Sequence, residues 1–307
     1  MVIAVVGGYG VGLTMTVPRA PQAGETVSGG RLARGHGGKG SNQAVGIRRL
    51  GQESALFTGV GTDDAGDAAI RFWTDEGVNA GAVVRTAEAT MTGFILVDPQ
   101  GENRIAIADG ALAALRPEDV AGFDAVIEAA DRLVVSLEVP VPVARRAVQA
   151  ARDADIPVLL NPAPATRDRE LVGLADVITP NLGELAELVD APGSSIDECL
   201  ARLFEWYGGT AIVTCGGAGA VVADRQRTER VPAVTPDAVI DTTGAGDSFT
   251  AALAVALTEG ASAVDAARFA AAAAAFTVGI PEVIPALPRR DDVEQMLTRA
   301  REEATAR

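Results

Sequence analysis

Residues 241–250 combine a glycine turn with an acidic side chain, an arrangement suited to chemistry on phosphate groups. In order they read Asp-Thr-Thr-Gly-Ala-Gly-Asp-Ser-Phe-Thr. Three small residues make the predicted turn: Gly244, Ala245 and Gly246. Residues 251–257 are rich in alanine and leucine and predict a helix. The first N–H groups of a helix lack intrahelical acceptors and bind anions, and Asp247 stands beside them as a base. Phosphoryl transfer needs both kinds of group.

A plainer interpretation also fits these residues. Gly244 and Gly246 then only form a turn, and Asp247 only caps the helix that follows. Short glycine motifs are common, so other parts of the chain have to decide between the two interpretations.

A second glycine-rich stretch, residues 37–43, reads Gly-Gly-Lys-Gly-Ser-Asn-Gln and precedes a predicted helix over residues 42–50. It is not a P-loop, because Gly40 stands where that motif needs Ser or Thr after the lysine. Glycines allow a backbone to approach a substrate closely. Lys39 and Asn42 offer donors to hydroxyl groups. On its own the stretch fits either a site for a small hydroxylated molecule or simply a glycine loop before a helix.

Both stretches resemble the two signatures of the ribokinase-like (PfkB) family of carbohydrate kinases. Five further fragments resemble segments of that family and follow the family's order: residues 24–27, 136–140, 161–165, 179–184 and 214–219. The resemblance covers most of the chain. It implies ATP-dependent phosphorylation of a small sugar or sugar-like alcohol, and its fold would be a ribokinase-like three-layer α/β/α sandwich with a small β-sheet lid.

The resemblance also implies roles for individual residues. Those expected to hold the sugar are Gly38, Lys39, Asn42, Glu138 and Asp247. Those expected to bind ATP are Asn181, Glu184, Thr214, Gly216 and Gly219, with Glu184 also holding Mg²⁺ through water. Asp247 would accept the proton of the attacking hydroxyl. The N–H groups of Gly244, Ala245 and Gly246 would stabilise the transferring phosphoryl group.

A potassium site is a further implication of the resemblance. Asp241 and the carbonyl of Thr243 match one half of the family's site. The other half departs from the family pattern, because Glu282 replaces a glycine and Ala286 replaces a serine. Ala271 stands where many relatives carry Asn or His near the adenine.

The largest departure from the family lies directly after the first predicted strand. Gly10 and Gly12 occupy the positions of an Asn and an Asp in the family, where the Asp binds sugar hydroxyls in most relatives, and no Asp, Glu or Asn precedes Glu25. Hydroxyl recognition at that end of the sugar is therefore expected to be rebuilt or lost. The space, with Tyr9 nearby, would admit a bulkier or less hydroxylated substrate. His36, the lone histidine, fits either a solvated loop or a ligand contact.

The order of the predicted elements is typical of an α/β fold. Six strand-like runs alternate with helical stretches, which predicts a mainly parallel sheet covered on both faces. The runs are residues 2–6, 54–58, 133–137, 158–160, 177–178 and 211–214. Two extended segments, about 13–35 and 92–108, interrupt this pattern as the expected lid, and residues 94–107 predict a hairpin. We expect a single domain over residues 1–307, and the resemblance implies a homodimer formed through the lid.

Composition excludes several classes of function. The chain has 307 residues and a net charge of −15, which disfavours nucleic acid and anionic membranes. It has 2 cysteines, far apart, and neither a leader nor a membrane span is evident, so we expect a cytoplasmic protein. With 1 histidine and no G-x-S-x-G motif, the sequence disfavours a Ser–His–Asp hydrolase. Phe72 and Trp73 lie in helical patterns and are expected in the core.

Three alternatives to a sugar kinase remain open at this point. A nucleoside kinase of the same family would use the space at Gly12 for a base. A sugar- or nucleotide-binding regulator would keep the fold without the reaction. A nicotinamide-linked oxidoreductase is disfavoured, because Leu13 stands where the dinucleotide fingerprint of residues 8–12 needs its third glycine.

Overall fold

The computed structural model describes residues 1–100 and 102–305. Gly101, in the predicted hairpin turn, lies outside the described residues. The strands are β1 (Val2–Val6), β2 (Gly10–Thr16), β3 (Arg31–Gly37), β4 (Glu53–Phe57), β5 (Gly59–Gly61), β6 (Val84–Thr86), β7 (Thr92–Val97), β8 (Asn103–Ala108), β9 (Arg132–Ser136), β10 (Val158–Asn161), β11 (Val177–Ile178), β12 (Thr210–Thr214), β13 (Ala220–Ala223) and β14 (Thr228–Val231).

The helices are α1 (Lys39–Arg49), α2 (Asp64–Glu76), α3 (Asp124–Glu128), α4 (Val141–Asp153), α5 (Arg169–Gly173), α6 (Leu182–Leu188), α7 (Ile196–Leu203), α8 (Ala245–Thr258), α9 (Ala263–Thr277), α10 (Val283–Ala286) and α11 (Arg290–Thr305). Short 3₁₀ segments cover Gly110–Leu112, Pro117–Phe123 and Gly216–Ala218. Within residues 1–100 and 102–305, no helix is long and apolar enough to cross a membrane.

The main sheet has eight strands in the order β14-β13-β12-β11-β10-β9-β1-β4. Every neighbouring pair from β4 to β12 is parallel, and β13 and β14 add an antiparallel edge. The prediction of a mainly parallel sheet is confirmed. Parallel strands end at one edge of a sheet, and ligands of such folds bind outside that edge.

Alternate side chains of each central strand enter two separate cores. In β1, Ile3 and Val5 pack into the core on one face, and Ala4 and Val6 pack into the core on the other. Helices α1, α2, α8, α9 and α11 cover the first face, and α3, α4, α6 and α7 cover the second. Trp73 is fully buried, as expected. The three-layer α/β/α sandwich is therefore confirmed.

A second sheet, which we call the lid, has four strands in the order β3-β2-β7-β8. The predicted hairpin is its β7–β8 pair. The first lid segment extends from Gly10 to Gly37, beyond the predicted limits of residues 13–35. Backbone pairing continues to the Gly10–Gly37 pair, where glycines give no alternation of apolar and polar side chains that a sequence pattern would detect.

Two helix boundaries differ from the prediction for identifiable reasons. The helix predicted over residues 42–50 begins earlier, at Lys39, because Gly38 adopts φ 93° and turns the chain directly into the first turn. The sequence pattern of residues 196–207 likewise predicts one continuous helix, but α7 ends at Leu203. Tyr207 instead turns inward and donates its hydroxyl proton to the carbonyl oxygen of Ala175 at 3.1 Å.

Glu282 is the most strained residue near the candidate potassium loop. It has φ 66° and ψ 155°, a region that essentially only glycine adopts without cost. Its N–H donates to Oδ2 of Asp241 at 3.2 Å, so a hydrogen bond holds the strained backbone in place. The family's glycine at this position would relieve the strain.

We predict that Glu282→Gly raises the free energy of unfolding by about 1 kcal/mol, since strain of this kind costs about 1–3 kcal/mol and added chain entropy offsets part of the gain. Urea denaturation measures the change. Glu282→Ala is the matched control, because it removes the carboxylate and keeps the Cβ. If the two variants were equally stable, the gain in unfolding free energy would not come from relief of backbone strain.

Candidate active site

The predicted site residues come from opposite halves of the chain and meet at the carboxyl edge of the main sheet. The first turn of α1 docks on the end of β1, where the Ser41 N–H donates to the Gly8 carbonyl at 3.0 Å. The first turn of α8 reaches the same place, where Asn42 Nδ2 donates to Asp247 Oδ2 at 2.7 Å. This is the edge at which the parallel sheet predicts ligands.

Glycines in residues 37–43 permit this docking. A Cβ at Gly38 would lie 2.5 Å from the Cα of Tyr9, and a Cβ at Gly40 would lie 2.5 Å from the carbonyl carbon of Gly7. Gly38 also has φ 93°. Two backbones therefore touch without intervening side chains, and larger residues would push α1 away from the sheet.

Asp247 lies in the first turn of α8 and is only 7% exposed. Its two carboxylate oxygens receive different donors: Asn42 at 2.7 Å to Oδ2, and Gln43 Nε2 at 3.5 Å to Oδ1. Gln43 is fully buried and was not among the predicted site residues. In the sequence, the one indication of its place in the site is its position directly after Asn42 in the stretch of residues 37–43.

The turn before α8 requires glycine. Gly244 adopts φ 80°, and a Cβ there would lie 2.6 Å from Cγ1 of Val283. The Ala245 N–H already donates to the Thr242 carbonyl at 3.3 Å. Of the three predicted anion donors, Gly244 and Gly246 are thus better placed than Ala245 to donate to a bound anion.

Four charged side chains interact at this edge: Lys39, Glu138, Glu184 and Asp247. Burial raises the pKa of Asp247, although Lys39 and the two amide donors act in the opposite direction. Burial also works to lower the pKa of Lys39, but the three carboxylates outweigh it and the pKa rises. The lysine therefore stays charged beside the acids.

Glu138 follows strand β9 and fills the space above Gly8. Its Oε2 accepts from the Lys39 N–H at 2.6 Å, and a Cβ on Gly8 would lie 2.5 Å from that oxygen. Burial, followed by the charge of Asp247, raises the pKa of Glu138 to about 7, against the attraction of Lys39. Glu138 therefore changes its charge near neutral pH.

The residues predicted for the nucleotide lie beside this group. Asn181 and Glu184 form a capping box on α6, with Asn181 N–H donating to Glu184 Oε2 at 2.8 Å and Glu184 N–H donating to Asn181 Oδ1 at 2.9 Å. Asn181 also forms a β-bridge with Thr214. The two side chains thus cap the start of α6, and their predicted role in binding the nucleotide would be additional.

Residues 214–219 form a tight, partly exposed loop after β12. The Cys215 N–H donates to the Gly219 carbonyl at 2.8 Å, and the Gly219 N–H donates to the Gly216 carbonyl at 3.0 Å. Gly216 has φ 54° and Gly219 has φ 92°. The loop places Thr214, Gly216 and Gly219 at one edge, next to Asn181. Cys215 and the buried Cys199 are free thiols.

The acidic groups fit magnesium only in combination with phosphate oxygens. Within residues 1–100 and 102–305, no cluster of three or more His, Cys, Asp or Glu side chains is arranged to hold a metal ion. Glu184 uses Oε2 for Asn181, which leaves Oε1 for a water shell. Magnesium keeps several waters and prefers few protein carboxylates, so this donor set is compatible with it.

Asp241 is less available for a cation than the resemblance implied. Its Oδ1 accepts from the Thr243 N–H at 2.9 Å and its Oδ2 accepts from the Glu282 N–H at 3.2 Å. These hydrogen bonds lower the pKa of Asp241 although burial acts to raise it. The carboxylate thus ties the turn before α8 to the loop before α10.

Tyr9 does not line the space beside Gly12. It is fully buried, and its hydroxyl lies 2.7 Å from Nδ1 of His36. His36 stacks on Phe72 with ring centroids 4.2 Å apart, and Trp73 Nε1 donates to Ser41 Oγ at 2.8 Å. Strand alternation turns Tyr9 toward the core and the neighbouring glycines toward the site, and the sequence interpretation missed this.

Comparison with known proteins agrees with this geometry. The description "pfkB family carbohydrate kinase" matches residues 9–290. A ribokinase from Haemophilus influenzae is 33% identical over 304 residues, which are 97% of this chain and 99% of that protein. A deoxyribokinase from Salmonella typhi is 34% identical over 256 residues, which are 81% of this chain and 83% of that protein.

A solved structure with the same fold contains both a sugar and ATP. The Arabidopsis thaliana ribokinase complexed with ribose and ATP superimposes with a TM-score of 0.89 at 28% identity, covering 96% of this chain and 98% of the other. The family match spans most of the chain, and the sheet order, lid and glycine turns fit it. The chain therefore belongs to the pfkB family of carbohydrate kinases and is an ATP-dependent carbohydrate kinase.

Proposed function

We propose that the enzyme transfers the γ-phosphoryl group of ATP to a hydroxyl of a small sugar or sugar-containing molecule, with Asp247 as general base. The observation that carries the proposal is the position of Asp247. It is a buried carboxylate at the start of α8, held by Asn42 and placed directly after a glycine turn. Binding alone does not need a base there, so this position argues against a regulator that has lost the reaction.

The acceptor is proposed to lie between α1, Glu138 and Asp247. Gly38 gives it access to the backbone, and Lys39, Asn42 and Glu138 contact its hydroxyls. Asn42 supports this role, because its side chain is 4% exposed and its Oδ1 has no hydrogen-bond partner among the residues that the structure describes. A buried acceptor atom of this kind is satisfied when a hydroxyl donates to it.

During transfer, Asp247 takes the proton as the hydroxyl oxygen attacks the γ-phosphorus and the bond to the ADP oxygen breaks. Gly244 and Gly246 donate N–H groups to the moving phosphoryl group, with Ala245 closing the same turn. Lys39 adds a positive charge between the acids. Because burial raises its pKa, the Asp247 carboxylate is a stronger proton acceptor than an ordinary aspartate.

The nucleotide is proposed to lie against the loop formed by Thr214, Gly216 and Gly219, with its phosphates near Asn181. Bound Mg²⁺, held through water by Glu184 and directly by phosphate oxygens, would neutralise charge on the phosphates. Asp241 and the Thr243 carbonyl are our candidate potassium ligands. The reaction and two free thiols fit a cytoplasmic location.

We predict that Asp247→Asn lowers kcat by about 10²–10⁴-fold, the usual contribution of a positioned base. ADP release with Mg-ATP and a panel of pentoses, hexoses and nucleosides measures it, with and without potassium. Asp265→Asn is the control, since Asp265 occupies the first turn of the next helix and is exposed. Activity of Asp247→Asn within threefold of the wild type would refute the assignment.

We predict that kcat/KM for the acceptor rises as the pH increases through about 7, because Glu138 then becomes a carboxylate that accepts hydroxyl hydrogen bonds. Glu138→Gln should lose this part of the pH profile. An unchanged profile in the variant would assign the titration to another group.

The same shift has a consequence for stability. The folded pKa of Glu138 lies above its ordinary value of 4.5, so its protonated form stabilises the fold below pH 4.5 and this contribution disappears between pH 4.5 and 7. Relative to wild type, Glu138→Gln should therefore gain about 1–3 kcal/mol of unfolding free energy across that window. Denaturant midpoints at pH 5 and pH 8 measure the change.

We also propose a homodimer formed through the lid. Met15, Leu32 and Phe94 lie on the lid face opposite Gly12, and Met15 pairs directly with Leu32. They are 37%, 62% and 56% exposed. Large apolar side chains grouped on an exposed sheet face are typical of a surface that a second copy covers.

We predict that Phe94→Asp converts the dimer into a monomer at micromolar concentration, because a charge would have to be buried at the interface. Light scattering after gel filtration measures the mass. Glu102→Ala, a change of an exposed side chain at the hairpin turn, should leave the mass unchanged. A monomeric wild type would refute the dimer.

A further inference from the structure

Five glycines share one face of the lid. Gly35, Gly12 and Gly93 lie side by side on β3, β2 and β7 in directly paired positions. Gly10 and Gly37 form the next pair on the same face, two residues along each strand. Because neighbouring strands are about 4.8 Å apart, the three-strand row leaves roughly 10 Å of sheet without side chains. We call this surface, with its bordering side chains Met91, Ile95 and Ile107, the glycine wall.

The glycine wall faces the acceptor site. Tyr9 and Val11 are buried in the core, so the alternate positions Gly8, Gly10 and Gly12 point the other way. Gly8 identifies that direction, because a Cβ there would run into the carboxylate of Glu138. Gly37, in the second row, directly precedes Gly38 and Lys39 of the acceptor loop. The wall and the proposed catalytic groups are therefore continuous.

Space is open above most of the wall. Among the described residues, a Cβ on Gly35 or Gly93 would meet no atom within 4 Å, and one on Gly12 would meet only Ile95 Cδ1 at 3.9 Å and a carbonyl oxygen at 4.0 Å. Gly10 differs, because its Cβ would lie 2.2 Å from the sulfur of Met91. Met91 therefore closes the wall at its catalytic end.

The chemistry of the wall is flat and apolar. Strand pairing already uses the backbone N–H and carbonyl groups of β2 and β7 on both sides, whereas β3 is an edge strand that pairs on one side. The side chains at its border are those of Met91, Ile95 and Ile107, and Ile107 is 60% exposed. Thr14 and Ala33 form the next pair on the same face, beyond Gly12 and Gly35. Sugar hydroxyls placed here would lose water without gaining partners, which costs free energy. A planar ring would lie against peptide planes at close range, which side chains would prevent.

A second observation points to a ligand with two unlike ends. Asn42, at the catalytic end, is buried, and its Oδ1 has no partner within the described part of the chain. Its Nδ2 is already committed to Asp247. The free oxygen can accept a hydrogen bond from a sugar hydroxyl, whereas the wall presents backbone and apolar side chains, with the hydroxyl of Thr14 beyond its edge. The site as a whole thus has one end that accepts hydrogen bonds from hydroxyls and another end that is flat and apolar.

We propose that the acceptor is a sugar bearing a planar heteroaromatic group, as in a nucleoside, and that this group stacks on the glycine wall while the sugar reaches Asn42 and Asp247. The inference rests on the proposed kinase reaction and specifies its substrate class. The transfer step itself is unchanged: the sugar hydroxyl oxygen bonds to the γ-phosphorus, ADP leaves, and Asp247 holds the proton. Gly12, Gly35 and Gly93 determine specificity in this arrangement.

The test compares kcat/KM for D-ribose, D-2-deoxyribose, inosine and uridine in wild type and two variants. Wild type should prefer a nucleoside to ribose by at least 10-fold. Gly93→Val fills the wall and should lower kcat/KM for nucleosides at least 10-fold while changing that for ribose less than threefold. Gly12→Asp adds a carboxylate in open space and should shift preference toward ribose. Gly173→Val is the matched control, since Gly173 is exposed on α5 and a Cβ there would meet no described atom within 4 Å.

The outcomes separate the two proposals. If wild type prefers ribose, or if Gly93→Val lowers activity on ribose and nucleosides equally, the substrate inference is overturned and the kinase reaction stands. If wild type releases no more ADP than Asp247→Asn does with every acceptor tested, the proposed function fails instead. A selective loss of nucleoside activity in Gly93→Val, with Gly173→Val unaffected, supports the stacking site.

Discussion

The hydrogen bond between Asn42 and Asp247 joins the two halves of this enzyme. It links α1, which carries the acceptor loop, to α8, which carries the proposed base, across 205 residues of sequence. Helix packing supports it, since a Cβ on Gly46 of α1 would lie 2.8 Å from the Cβ of Ala251 on α8. Only small residues allow this approach. The position of the Asp247 carboxylate therefore also depends on the packing of α1 against α8, away from the site itself.

Local electrostatics outweigh the global charge at this edge. The chain carries a net charge of −15, yet in the proposed arrangement anionic ATP approaches the carboxylates of Glu138, Glu184 and Asp247. Burial raises the pKa of all three carboxyl groups, that of Glu138 to about 7, and Lys39 stays protonated among them. The first turn of α8 adds backbone N–H donors. A magnesium ion on the phosphates would complete this compensation.

Sequence patterns predicted what depends on local order, and missed what depends on pairing between strands. Apolar runs gave the parallel sheet, and the two signatures identified the family. Nothing local shows that Gly12 lies between Gly35 and Gly93, because that row exists only through strand register. The same limit misplaced Tyr9, whose side chain points to the core. Asn181 and Glu184 carry a capping-box spacing, which sequence alone could have identified.

The glycine content of the lid is costly for the sheet itself. Glycine within a strand is less favourable than alanine by about 0.5–1 kcal/mol, so five glycines in three neighbouring strands forgo a few kcal/mol. Only Gly10 is forced by a neighbouring side chain, Met91. At Gly35 and Gly93 the structure has room for larger residues. Glycine at these two positions weakens the lid without improving its packing. A ligand that lies against the bare backbone, as we propose, would account for the two glycines.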